Sequence, residues 1–148
     1  MLDAGELCNR QVVIATPDEL ILAAARRMRD HRVGSLVVVE GEPGGRRPIG
    51  ILTDRDIVVY AVADGGALGE RTVRACMNPN LVTAREREGL LEVIRRMRVH
   101  GIRRIPVVDE GGLLQGILSV DDVLDVLAEE VDDLAAVLLG SSATHAHP

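Results

Sequence analysis

The chain has 148 residues, enough for one ordinary domain or two very small ones sharing a core. With 47% hydrophobic and 27% charged residues it reads as a packed, soluble protein, and no apolar run is long enough to cross a membrane. All 17 basic residues are arginine, which excludes a lysine-bearing phosphate loop, a Schiff-base enzyme and a lysine general base.

The first residues, Met1-Leu2-Asp3-Ala4-Gly5-Glu6, are acidic, not basic then apolar, so a secretory signal is not expected and a cytoplasmic location is. Two cysteines, Cys8 and Cys76, are too few for a disulfide framework and have no local base, so both are expected as free thiols. Val12 to Ala15 reads as a short strand. Thr16-Pro17-Asp18-Glu19 follows with the spacing of a capping box, and Pro17 suits a first helical position. Leu20, Ala24 and Met28 then recur at helical spacing. Two β-rich runs come next, Ser35 to Val39 and Pro48 to Leu52, split by a glycine-containing turn. A second helix is expected to start at Thr53, and the glycine-rich stretch 64–74 reads as a linker.

The same series then returns. Arg26-Arg27-Met28-Arg29-Asp30-His31 recurs 69 residues later as Arg95-Arg96-Met97-Arg98-Val99-His100. Gly50-Ile51-Leu52-Thr53 recurs 66 residues later as Gly116-Ile117-Leu118-Ser119, so the first copy has three extra residues in its loop from Gly41 to Pro48. In the second copy the predicted elements are a strand at Leu81 to Val82 and a capping box from Thr83 to Glu86. A helix through Leu90, Ile94 and Met97 and strands Arg104 to Val108 and Leu113 to Leu118 follow. The last helix starts at Ser119, with Val120, Val123, Leu124, Leu127, Val131, Leu134 and Leu138 on one stripe and an acidic opposite face.

The order is thus β-α-β-β-α, twice, an α/β (α+β) architecture. The first copy spans 7–63, the second 75–132 with its helix running to about 139, and 140–148 is a polar tail. A copy of that size buries a marginal core alone, so the two should pack on each other. Met28 and Met97 are expected in the cores, and His31 and His100 at helix C-termini. His145 and His147 in the tail do not make a metal site.

Chemistry concentrates at Gly50-Ile51-Leu52-Thr53-Asp54-Arg55-Asp56 and its repeat Gly116-Ile117-Leu118-Ser119-Val120-Asp121-Asp122. In each, a strand ends at a hydroxyl residue, a helix begins, and a carboxylate sits one turn in. Helix-start amides suit phosphate, and a carboxylate can take both hydroxyls of a ribose. The same Thr-x-x-Asp and Ser-x-x-Asp spacing is also a plain capping box, and the glycine three residues before each hydroxyl is the context that favours a ligand. A net charge of −6 and one aromatic residue besides histidine, Tyr60, weigh against nucleic acid as that ligand.

These corners resemble the cystathionine-β-synthase (CBS) domain, and two in tandem resemble a CBS pair, or Bateman module. Cys76-Met77-Asn78-Pro79 before Val82-Thr83, and Arg103-Arg104-Ile105-Pro106-Val107-Val108-Asp109, extend the resemblance over about residues 7 to 130. It implies a non-catalytic sensor whose clefts take an adenosine-type ligand: AMP, ADP or ATP first, then NAD(H), S-adenosylmethionine or a signalling dinucleotide. By position, Asp56 and Asp122 would hold ribose, with Thr53 and Ser119 at the ribose-phosphate. Val13, Ile14 and Thr16 would flank adenine in one cleft and Leu81, Val82 and Thr83 in the other, completed by Ser35 and Leu36 or by Arg104 and Ile105. Arg55, replaced by Asp121 in the second copy, would make the Thr53/Asp56 cleft the better one for a phosphate chain. Arg103 and Arg104 would compensate elsewhere, strand alternation letting at most one meet a ligand, while Arg46 and Arg47 would reach over from the long loop. The resemblance also implies a homodimer of pairs, joined through helices, and an effector protein whose identity the sequence leaves open. The alternative is an interaction adaptor with empty clefts.

Overall fold

The computed structural model describes residues 2–41 and 46–140. The extra residues of the first copy's long loop, and the tail with His145 and His147, lie outside them. Two three-stranded sheets form, one from each copy. In the first, β1 (Ile14–Ala15) runs parallel to β2 (Ser35–Glu40), which pairs antiparallel with β3 (Arg47–Thr53). In the second, β4 (Ala84–Arg85), β5 (Arg104–Val108) and β6 (Leu114–Ser119) repeat that order and sense. Register repeats as well: Leu36 faces Leu52 and Val38 faces Gly50, as Ile105 faces Leu118 and Val107 faces Gly116. Both hairpins shift register one residue further on, between Val38 and Val39 and between Val107 and Val108.

Helices α2 (Ile21–His31) and α5 (Leu90–His100) each cover one face of a sheet. Ile21, Ala24 and Met28 bury against Leu36, Val38 and Leu52 in one core. Leu90, Val93 and Met97 bury against Ile105, Val107 and Leu118 in the other. Val37 and Pro106 point away from those cores, by strand alternation, yet are fully buried too, so each central strand is covered on both sides. His31 and His100 end their helices with Nδ1 3.0 Å from the carbonyls of Arg27 and Arg96, which fits their structural role.

Two short helices went unforeseen, and they are exchanged between copies. The first, α1 (Ala4–Leu7), opens with a capping box between Asp3 and Glu6 and buries Ala4 in the second core. The other, α4 (Val73–Cys76), buries Val73 and Cys76 in the first core. The stretch read as a linker therefore does structural work, with a 3-10 turn at Leu68–Glu70 and Leu68 packed on the first core.

This exchange corrects the expected helix starts. The amides of Val73 and Arg74 donate to the carbonyls of Glu19 and Pro17, and those of Ala4 and Gly5 to Glu88 and Glu86. The carbonyls that a first helical turn would use internally are spent on the neighbour's helix. Residues 16–20 therefore form a turn, α2 begins at Ile21 and α5 at Leu90, and Leu20 is 45% exposed. Thr16 does not cap: its amide and hydroxyl both donate to Glu19 Oε2, at 2.7 and 3.2 Å. In the second copy the matching turn is Arg85 to Glu88, where the Arg85 amide donates to Glu88 Oε1. The capping box expected from Thr83 to Glu86 does not form, the turn lying two residues later, and the strand lies at Ala84–Arg85, not Leu81 to Val82.

Beyond α1 and α4 the chain crosses the edge strand of the opposite hairpin. Asn9 and Ile117 exchange backbone hydrogen bonds at 2.8 and 3.0 Å, and Ile51 and Asn78 do so at 3.2 and 2.9 Å. The crossing is close: a Cβ on Gly50 would stand 2.8 Å from the Asn78 oxygen, and one on Gly116 2.5 Å from Cys8 Sγ and 2.9 Å from the Asn9 oxygen. The motif glycines thus have a packing reason.

The second helix of the first copy is α3 (Asp54–Ile57), running into a π-helical turn at Val58–Val62. That of the second copy is the long α6 (Val120–Leu138). No helix among the described residues is long and apolar enough to cross a membrane. Gly50→Ala and Gly116→Ala should each lower the urea-unfolding free energy by about 1–3 kcal/mol. Gly69→Ala, whose Cβ would meet nothing within 4 Å, should stay within about 0.5 kcal/mol of the parent.

Candidate ligand cleft

The Thr53 corner is a true capping box. Thr53 Oγ1 accepts the Asp56 amide at 3.1 Å, and Asp56 Oδ2 accepts the Thr53 amide at 2.9 Å. Other amides of that turn are also spent, Asp54 on the Gly34 carbonyl at 3.0 Å and Arg55 on Asp54 Oδ1 at 2.8 Å. The expected free amides for a phosphate are therefore missing from this corner. What remains is Asp56 Oδ1 and the side chains around it. At the second corner Ser119 Oγ accepts the Asp122 amide at 3.2 Å, while the Asp122 carboxylate makes no return bond to a described residue.

Thr53, Arg55 and Asp56 open onto a cleft of about 410 Å³. Its first-copy wall adds Ser35, Ile51 and Asp54; its second-copy wall is Asn78, Asn80, Leu81, Val82 and Gly101 to Arg104. The cleft is thus built across the copies. The reason is the edge crossing: Asn78, paired to Ile51, delivers Leu81 and Val82 to the first copy's corner. An Asx turn, in which the Asn80 amide donates to Asn78 Oδ1 at 3.0 Å, shapes that approach.

Several expected wall residues lie elsewhere. Leu36 and Ile105 are fully buried in their cores, because alternation turns Ser35 and Arg104 outward and the next residue inward. Val13, Ile14 and Thr16 line a separate depression of about 670 Å³ with Asn9, Gln11, Arg27 and His31, a depression that does not include Ser119 or Asp122. Thr83 lends its carbonyl to Arg96 Nη1 at 2.8 Å. Arg103 and Arg104 both line the Asp56 cleft: Arg103 precedes the strand, so alternation does not separate them. They add to Arg55 in this cleft, although Arg104 also lies in register with Ser119 of the other corner. Arg46 offers its carbonyl to the Leu114 amide and Arg47 lies beside Gly112, so neither lines this cleft. Asn78, Asn80 and Ile102 were missed; the quoted Met77-Asn78-Pro79 run was the available signal, since the equivalent Asn9 precedes Val12 and Val13 in the same way.

A family model for the CBS domain matches residues 4–63 and 73–129. The chain belongs to the CBS domain family. It is 36% identical over 125 residues to an uncharacterised protein of Methanopyrus kandleri, an alignment covering 84% of this chain and 62% of that relative's length. Among solved structures, the cytosolic domain of the Mg2+ channel MgtE, in complex with ATP, is 32% identical with a TM-score of 0.70. That match covers 84% of this chain and 48% of the other. The CBS domain pair of protein MJ0100, in complex with 5′-methylthioadenosine and S-adenosyl-L-methionine, shares the fold at a TM-score of 0.75 and 23% identity, covering 88% and 98%.

Ion pairs frame the fold near these walls. Arg96 grips Glu88 with both arms of its guanidinium, and Arg27 bonds Glu19 and the Ile14 carbonyl. Arg96 holds the Glu88 carboxyl below its ordinary value of 4.5 against the opposing effect of burial. For Glu19, burial pushes upward, but Arg27 and the Thr16 amide outweigh it and the carboxyl is lowered. Burial raises both thiols, Cys8 and Cys76, which suits inert packing groups. Carboxyls depressed in the folded state contribute stability that is complete above about pH 4.5 and fades as pH falls through the folded values. Urea midpoints measured from pH 7 to pH 3 should therefore drop on the acid side, and Arg96→Met should flatten that drop while lowering the midpoint at pH 7.

Proposed function

We propose that this CBS pair is a non-catalytic sensor that binds an adenosine-type nucleotide in the Asp56 cleft. The observation that carries this reading is that a corner with a hydroxyl and a carboxylate faces, across the two copies, an apolar wall and guanidinium groups. Leu81, Val82 and Ile102 offer a face to a purine, Asp56 Oδ1 can accept from a ribose hydroxyl, and Arg55, Arg103 and Arg104 meet phosphate. The volume of about 410 Å³ falls within the range of small-molecule sites. The ATP complex of the related MgtE domain supports AMP, ADP or ATP as ligand class, with NAD(H) and S-adenosylmethionine behind.

In this reading the pair works as a homodimer and signals to an effector protein. Support comes from the apolar residues left exposed on α6, Leu124, Leu127, Val131 and Leu134, and on the π-helical turn, Val58, Tyr60 and Val62. Ligand would act by favouring one arrangement of the pairs over another.

A thermal-shift series with adenine nucleotides tests the reading. At about a hundred times Kd, ligand should add about 2.7 kcal/mol, or about 5–10 °C in a chain of this size. Asp56→Ala, measured against its own ligand-free melting point, should lose most of that increment. An unchanged increment would remove Asp56 from the site, and a parent protein that responds to no adenosine compound would leave the adaptor reading in its place.

A further inference from the structure

Resting on the sensor reading above, we propose that the Asp56 cleft selects nucleoside polyphosphates over nucleosides and monophosphates, through a guanidinium cluster supplied by both copies.

The duplication provides the internal comparison. In the Asp56 cleft the strand-to-helix corner contributes Arg55, and the facing copy contributes Arg103 and Arg104. At the equivalent positions of the other corner stand Asp121, Gly34 and Ser35. The hairpin register around the two corners is the same, so the hairpins do not demand these arginines. A single cation goes the other way, Arg32 standing where the second copy has Gly101. Arg104, in register with Ser119, stands at the seam between the corners, while Arg55 and Arg103 belong to the Asp56 side.

The three groups are also available. No guanidinium of Arg55, Arg103 or Arg104 makes a hydrogen bond or ion pair with another described residue, although Asp54 and Asp56 line the same cleft. Arg27 and Arg96, by contrast, are paired, with Glu19 and Glu88. Two carboxylates beside three cations leave an uncompensated positive charge, and both acids already accept a backbone amide on one oxygen.

Spent amides decide what the phosphates can use. With the amides of Asp54, Arg55 and Asp56 all bonded internally, the corner offers no backbone cradle. Recognition of phosphate here falls to side chains, and each guanidinium presents a planar fork that fits two oxygens of a phosphate. A cluster of this kind gains with every added negative charge, since the attraction acts over the few ångströms between neighbouring phosphates in a partly screened cleft. Adenosine, which brings no charge, engages only Asp56 and the apolar wall.

The test is calorimetric titration of the parent protein and of an Arg55→Gln, Arg103→Gln double variant with magnesium-free adenosine, AMP, ADP and ATP. Both arginines are exposed, so folding is expected to survive, and circular dichroism checks it. In the parent, affinity should rise from adenosine to ATP by about tenfold or more, and 0.3 M NaCl should shrink the spread. In the double variant the series should collapse to within about threefold, with adenosine unchanged. If the parent binds adenosine and ATP equally, or the variant keeps the full ranking, charge selection is overturned while the sensor reading stands. If the parent binds none of the four but responds to another adenosine compound, this inference alone is overturned; if it responds to none, the sensor reading falls with it.

Discussion

Everything that positions the cleft depends on the exchange of α1 and α4. Each core is closed by a helix whose chain then crosses the edge of a hairpin, Cys8-Asn9 over Gly116 and Met77-Asn78 over Gly50. A hairpin edge left bare would present unpaired amides and carbonyls; here the opposite copy's backbone satisfies Ile51 and Ile117. The contact is backbone to backbone, at hydrogen-bonding distance, and it leaves no room for a side chain on the strand. Glycine at both positions follows from that geometry alone.

Placing the crossing there also builds the cleft. Three residues beyond Asn78 the chain reaches Leu81 and Val82, which become the apolar wall facing Thr53 and Asp56. A small copy that could not bury its own core thus acquires, from the same exchange, one wall of the cleft. Cleft and fold share their supports: strain or relief at the Asn78–Ile51 pairing reaches both at once. The π-helical turn directly after α3 lies on the other side of that corner, with Val58, Tyr60 and Val62 turned outward. The capped corner is therefore joined to an exposed apolar surface through one short element.

The repeat, the β-α-β-β-α succession of elements and the two hydroxyl-acid corners were legible in the sequence because they rest on short-range rules. Alternation marks strands, helical spacing marks α2 and α5, and Thr-x-x-Asp marks a helix start. The main failures were long-range. Thr16 and Glu19 have capping-box spacing, yet their turn gives its carbonyls to a helix more than fifty residues away, which no local pattern reports. Gly50 and Gly116 drew notice as ligand context, while their tight partners, Met77 and Asn78 or Cys8 and Asn9, lie far off in sequence. Even α1 had a signal, Asp3 and Glu6 at capping distance, hidden by reading those residues only as an acidic terminus. Leu36 and Ile105 were misplaced for a simpler, local reason: alternation turns the residue after the outward Ser35 or Arg104 into the core.

Duplication explains how one fold can hold unequal sites. The constraints that the two copies share are imposed by backbone: exchanged helices, edge crossings, glycines, caps. Those constraints fix Gly50, Thr53 and Asp56 against Gly116, Ser119 and Asp122, and they leave the residues between them free. Arg55 and Asp121 occupy one such position, exposed and without a folding role in either copy. Arg103 and Arg104 against Gly34 and Ser35 occupy others, at the start of the central strand where the chain has left its helix and not yet entered the core. Charge can accumulate at those places at little cost in stability, since an exposed arginine keeps its hydration. The capped corner is held by backbone constraints common to both copies, and the positions around it are where the two copies differ in charge.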